Sequence, residues 1–354
     1  MESGTGTRTK TRYSFIDIAK GICMISILLG HLGLDSINRV VFTYHIPVFY
    51  LIAGYFMKED ESISSFLKKK FRSLIIPYII ASVLIIISAV IMNLIYAQGE
   101  GLFSLLKDWC FAALYGAGDS YEKPFHIRGI GAIWFLLALF WGELFLKLIL
   151  KCNPHVRPFI VALLVAFADF SRRYIFWFPL SIQAGCTALL FIYIGYMVGK
   201  LLRNSDFKEL KKSHKTAVLV SEIVLTLVAL CLAIHFIMNF KRFWLVHSDM
   251  GKGVLDILGS LSASGLVLLI SYGISRLLKN AGFPLEYIGR NSLYFLMGHV
   301  IELTTFPWHR WIPVLTGVEF GMPHYYSILV IGKMIWVTGF MIVAEVLADR
   351  VRRE

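Results

Sequence analysis

Residues 13–34 read YSFIDIAKGICMISILLGHLGL, a stretch apolar enough to enter a bilayer that nevertheless carries Asp17, Lys20 and His31. Lys20 and His31 are eleven positions apart. On an α-helix that separation is about three turns, roughly 16 Å of rise and about 20° of net rotation. The two side chains therefore share one stripe, with Asp17 one turn before Lys20. Ionisable groups are costly in hydrocarbon and normally face a polar interior. A cation low on such a stripe and a histidine high on it predict a binding track that leads to a base. The plainer alternative is an interfacial Asp17–Lys20 pair that sets topology, with His31 capping the far end.

Hydrophobic residues make up 57% of the chain and charged residues 16%. With a mean hydropathy of +0.68, an ordinary water-soluble globular protein is excluded. Apolar runs of about 20 residues, the length that spans a bilayer core, recur at 15–34, 41–57, 74–96, 129–150, 157–171, 183–202, 216–238, 254–277, 288–306 and 326–348. They predict an all-α polytopic membrane protein with about ten transmembrane helices. Residues 13–354 then form a single transmembrane domain behind a flexible polar tail, 1–12. The first run holds charges within its apolar region and no small-residue cleavage pattern, so it is expected to remain as a span. One set of alternate loops holds more than twice as many Lys and Arg as the other, which puts the N- and C-termini in the cytoplasm. The net charge of +12 is mostly that bias, and no nucleic-acid-binding motif accompanies it. The five cysteines have no CxxC spacing, and neither a disulfide nor a metal site is expected.

In the second run, VFTYHIPVFYLIAGYFM, His45 precedes Pro47 by two residues. A short loop joins this run to the first, so an antiparallel pair brings His31 and His45 to one level. Interfacial anchoring beside Tyr44 is the alternative for His45. KEDESISSFLKKKFRSLIIPY is basic and amphipathic, suited to anionic membrane lipid or to phosphates, with Arg72 nearest the bilayer. Residues 97–128 read as the longest outside segment, with Trp109, Tyr115, Asp119, Tyr121 and His126. Trp134 then opens the next span and Glu143 lies deeper in it. In YIGRNSLYFLMGHVIELTTF, Ser292, Phe295, His299 and Glu302 share a stripe, and a Glu one turn from a His can orient its imidazole. Lys333, inside the last run, either lines a site or pairs with Glu143 or Glu302.

Five of these stretches, in order, carry a family resemblance. FIDIAKGICMISILLGHLG supplies Lys20 and His31. YHIPVFYLIAGYF supplies His45, Pro47, Phe49, Gly54 and Tyr55, and FLKKKFRSLIIPY supplies Arg72, Pro77 and Tyr78. IWFLLAL contains Trp134, and YIGRNSLYFLMGH contains Gly289, Asn291, Ser292 and His299. Over nearly its whole length the chain resembles the acyltransferase 3 family of polytopic bacterial O-acyltransferases, in particular the fucose 4-O-acetylase-like branch. It departs from the pattern at Lys20, where Arg is commoner, and at Ala53, where a Ser usually precedes the glycine.

The resemblance implies an acyl-CoA donor, most often acetyl-CoA, reaching the protein from the cytoplasm. It implies a hydroxyl of a cell-surface or lipid-linked glycan as acceptor, a bacterial inner-membrane location, and transfer completed within the membrane domain. On this reading Lys20 and Arg72 hold the donor's phosphates. His31 is general base or transient acyl carrier, a role imidazole suits near neutral pH, and His299 with Glu302 forms a second catalytic pair. Asn291, Ser292 or Lys333 would support the oxyanion, with His45 and Trp134 toward the acceptor. The rival from another class is a secondary transporter or exporter of a small polar solute or glycan, though no inverted repeat is evident; a ligand-sensing module is a third possibility.

Overall fold

The computed structural model describes residues 13–96, 101–205, 215–278 and 282–353. These form helices joined by turns, and among them no β-strand occurs, only two isolated bridges, Tyr121–Ile127 and Trp244–Asp249. The amino-terminal tail 1–12 and most of the basic connector near 206–214 lie outside the described residues.

Helix α1, Ser14–Gly30, is buried along most of its length. It ends where Gly33 turns the chain at a φ of +73°, a left-handed conformation that glycine adopts without strain. A short helix α2, Asp35–Val41, then leads to α3, His45–Tyr55, whose Pro47 sits in the first turn, where no backbone hydrogen bond is lost. Helix α4, Ile63–Lys70, is capped by Ser62, whose hydroxyl accepts from the Ser65 N–H at 3.2 Å. It runs through a π-turn, Phe71–Ile75, into α5, Ile76–Tyr96. Pro77 explains that turn, because it cannot donate to the Ser73 carbonyl and its ring would clash there.

Residues 97–128, expected as an outside loop, contain α6, Leu102–Tyr115, which buries Trp109 and Tyr115. After the cap at 116–133 come α7, Trp134–Ile149, and α8, Arg157–Tyr174. Next are α9, Ile182–Arg203, α10, Lys215–Met238, and α11, Val254–Leu277. The chain closes with α12, Phe283–Arg290, α13, Ser292–Thr305, α14, Trp308–Thr316, and α15, Tyr325–Arg353.

Every expected apolar run carries a helix, but among the described residues five stretches are long and apolar enough to cross a bilayer by themselves. They are Ile63–Tyr96, Pro179–Arg203, Lys215–Met238, Val254–Leu277 and Tyr325–Val351. The others are shorter, less apolar or broken; the run at 288–306, for example, is divided at Asn291 into α12 and α13.

Two glycine contacts set the packing around α1 and α3. A Cβ on Gly289 would lie 1.6 Å from the Asp17 carbonyl oxygen, and one on Gly21 would lie 2.0 Å from that of Leu285. Helices α1 and α12 therefore meet backbone to backbone. Gly54 and Gly195 do the same for α3 and α9, with 1.9 Å to the Ile192 oxygen and 2.1 Å to the Leu51 oxygen. Small residues permit this approach between apolar helices, where dispersion rather than water exclusion drives association. On α11, Ser260 bonds across to the Thr43 carbonyl at 2.7 Å, whereas Ser264 bonds back to the Ser260 carbonyl of its own helix.

Candidate active site

At the end of α1, His31 places its Nδ1 2.7 Å from the Ile27 carbonyl and 3.3 Å from His299 Nε2. His299 Nδ1 is 2.8 Å from Glu302 Oε1. The Glu302 carboxylate also accepts from Lys333 Nζ at 2.9 and 2.6 Å and from Trp308 Nε1–H at 2.5 Å. Glu302 and His299 are fully buried, and Lys333 nearly so. A buried carboxylate facing an ammonium and two N–H donors is held ionised, because every neighbour favours the charged form.

These contacts fix the tautomers. Ionised Glu302 can only accept, so His299 carries its proton on Nδ1 and offers a lone pair at Nε2. The Ile27 carbonyl can also only accept, so His31 carries its proton on Nδ1, shared between that oxygen and His299 Nε2. His31 Nε2 is left with a free lone pair. The order Lys333–Glu302–His299–His31 thus ends in one basic nitrogen, with Glu302 orienting the His299 ring and His299 the His31 ring.

The His31 side chain is exposed, and its ring lines a cavity of about 250 Å³. His45 and Trp134 line the same cavity. His45 repeats the arrangement of His31, with Nδ1 2.6 Å from the carbonyl four residues earlier, that of Val41. Two imidazoles therefore present Nε2 from backbone-anchored rings. The roof is the segment after α10, with Phe243 and Trp244, joined by Asp119 from the cap. His247 Nε2 lies 3.1 Å from Asp119 Oδ2, its Nδ1 lies 2.9 Å from the Tyr121 hydroxyl, and Tyr121 stacks on Trp177 at 4.9 Å. The His247 hydrogen bond holds the Asp119 carboxyl below its ordinary pKa.

At the other end of α1, Lys20 lines a cavity of about 760 Å³ and contacts Asp17 at 3.1 Å. Lys58, Lys69, Lys70 and Arg290 supply further positive charge there, and Lys70 pairs with buried Glu143. A neighbouring cavity of about 990 Å³ shares Lys58 and Lys69 and adds Tyr196, Lys200 and Arg203. Lys147 secures the loop between α3 and α4 by donating to the Lys58 and Glu59 carbonyls at 2.7 and 2.8 Å.

The cavities at the two ends of α1 share no lining residue. Between Lys20 and His31 on α1 lies Met24, and Phe49 of α3 and Phe135 of α7 belong to the same apolar cluster. Met24 is 2% exposed, and the two phenylalanine rings meet edge-on at 5.5 Å.

His31, His45, His299, Glu302, Trp134 and Lys333 gather at one end, and Lys20 stands at the other. Lys333 pairs with Glu302 and not with Glu143. Arg72 departs from the expected placement: the π-turn before Pro77 puts it in a separate groove with Phe71 and Phe140, outside the Lys20 cavity. Asn291 and Ser292 come directly after Gly289 and Arg290, and Gly289 abuts Asp17. They therefore lie at the Lys20 end, more than a helical turn from His299, and not beside the reactive imidazole. Asp119, His247 and Trp244 were not legible as site residues, because their approach depends on how two loops fold over the bundle. Lys70 sat in a basic run with nothing to mark it from its neighbours.

A comparison with curated proteins finds no match. The acyltransferase domain of the acyltransferase 3 family matches residues 13–347. With that match over nearly its entire length, and with apolar helices suited to a bilayer, the chain belongs to this family of membrane acyltransferases.

Proposed function

We propose that the protein transfers an acyl group, most often acetyl, from cytoplasmic acyl-CoA to a hydroxyl of a cell-surface or lipid-linked glycan. The observation that carries this reading is the relay from Lys333 to the free Nε2 of His31 in a cavity wall. Both termini and the Lys20 end face the cytoplasm by the positive-inside bias, and the protein resides in a bacterial inner membrane.

The donor's phosphates sit among Lys20, Lys58, Lys69 and Lys70, with the nucleotide end extending toward Lys200 and Arg203. Arg72 has no direct part in this arrangement. The acyl arm runs along α1 past Met24 and Phe49, whose side chains swing aside. His31 Nε2 takes the proton of the acceptor hydroxyl as its oxygen bonds to the thioester carbon. The tetrahedral intermediate then expels the CoA sulfur, which receives that proton from His31, leaving an ester and free CoA. While His31 holds the extra proton, its Nδ1–H faces His299 Nε2, and Glu302 behind His299 stabilises the positive charge. The acceptor ring rests between His45 and Trp134. Ser292 and Asn291, at the donor end, are placed to meet the donor and not the oxyanion.

Purified protein incubated with acetyl-CoA and a panel of glycans should release CoA only when a suitable acceptor is present. Solute uptake into proteoliposomes that needs no CoA ester would instead identify a transporter. Lys20→Ala should raise the apparent KM for acetyl-CoA about tenfold with kcat changed less than about twofold, since a phosphate contact made equally in ground and transition states acts on binding alone. Arg72→Ala should shift that KM less. Steady-state kinetics at saturating acceptor test both, and an unchanged KM for Lys20→Ala would move the donor site elsewhere.

A further inference from the structure

We propose that Asp119 is the acceptor-recognition residue and that it selects a single uncharged, hydroxyl-bearing ring. Among the described residues lining the cavity of His31 and His45, Asp119 carries the one fixed charge. The rest of the wall is largely apolar, including Trp134, Phe243 and Trp244. A polar ligand entering such a space needs a partner for its hydroxyls, and a carboxylate accepts from them more strongly than a neutral group.

The carboxylate is built into place. Its Oδ1 accepts from the Ser120 N–H at 2.7 Å and its Oδ2 faces His247 Nε2 at 3.1 Å. Because the Asp119 carboxylate can only accept, the proton of His247 lies on Nε2 and His247 donates to Asp119, while its Nδ1 lies 2.9 Å from the Tyr121 hydroxyl. Each oxygen keeps a further lone pair, and about half of the side chain remains exposed. Gly118 brings this residue to the cavity: a Cβ there would fall 2.4 Å from both Trp134 and Val246, two of its walls. A side chain at 118 would push the loop out and withdraw Asp119.

The space of about 250 Å³ is enough to seat one sugar ring. A hydroxyl held by Asp119 at the roof leaves another hydroxyl of the same ring to meet His31 Nε2. The same negative charge repels an acidic ring, so a carboxylate-bearing sugar is disfavoured.

The role of Asp119 in turnover rests on the acyltransferase reading, but binding itself is measured without donor. Saturation-transfer NMR on the full-length protein in nanodiscs free of sugar detergents would use methyl glucopyranoside, methyl galactopyranoside and methyl glucuronide as probes. At least one neutral glycoside should bind and the glucuronide should not. Asp119→Asn should weaken the neutral glycoside at least about tenfold and abolish the discrimination against glucuronide. Failure of every neutral glycoside to bind, equal binding of glucuronide by the unaltered protein, or full affinity in Asp119→Asn would each overturn the proposal. The contrast between neutral and acidic probes needs no variant, so a poorly folding substitution does not remove the test. Absence of CoA release from acetyl-CoA in parallel would count against acyl transfer and leave the binding result standing.

Discussion

His31→Ala should reduce acyl transfer by about a thousandfold, within the roughly 10²–10⁴-fold range of a positioned general base, while acetyl-CoA still binds. The base and the lysine cavity are separated along α1 by about 16 Å, and the two cavities share no lining residue. Loss of the imidazole therefore does not disturb the phosphate site. His31→Gln should fare no better, since an amide can hydrogen-bond but cannot carry the proton. Calorimetric titration with acetyl-CoA alongside CoA-release kinetics separates the two effects. Transfer within about threefold of the unaltered enzyme would end the assignment of His31 as base.

The second large effect concerns Glu302. Its carboxylate serves three donors, so Glu302→Gln disturbs both chemistry and fold. The amide keeps the shape, but the Lys333 ammonium is left without its counter-charge, and breaking a buried pair by removing one partner costs about 3–5 kcal/mol. Transfer should fall at least about tenfold, or about 1.4 kcal/mol of barrier, and the melting temperature should drop as well. The double variant Glu302→Gln with Lys333→Met removes both charges. It should recover most of the lost stability but none of the lost transfer, because His299 still lacks an ionised partner. Thermal unfolding and kinetics on the two singles and the double form a cycle that reads the coupling directly. Recovery of transfer together with stability would make Glu302 a structural residue only.

How much could be read from the sequence depends on the reach of each regularity. Helical spacing holds within one element, so the Lys20–His31 stripe and the His299–Glu302 turn were legible, and the cost of a buried lysine pointed Lys333 to a carboxylate. Spacing says nothing about which faces meet. The contact of His31 with His299, across 268 positions, had to come from the fold. The π-turn ahead of Pro77 sets Arg72 in a groove apart from Lys20, a placement that a regular 3.6-residue period does not foresee. Five of the ten runs proved too short, broken or insufficiently apolar to cross alone, because a helix packed among longer neighbours is released from the length that lipid imposes. The 102–115 helix was hidden among aromatic residues that resemble an interfacial belt but point into the protein.

The separation of the two cavities along α1 has an electrical consequence. A cavity lies at each end of α1, and histidines able to pass protons line the one at the His31 end. Joined by water, they would form a leak for the proton gradient, where each elementary charge crossing a 100 mV potential dissipates about 2.3 kcal/mol. The two cavities share no lining residue, and Met24 packs into the apolar cluster on the α1 stretch between them. Substitution of Met24 or Phe49 by a small residue is thus a question for conductance measurements as much as for enzyme kinetics.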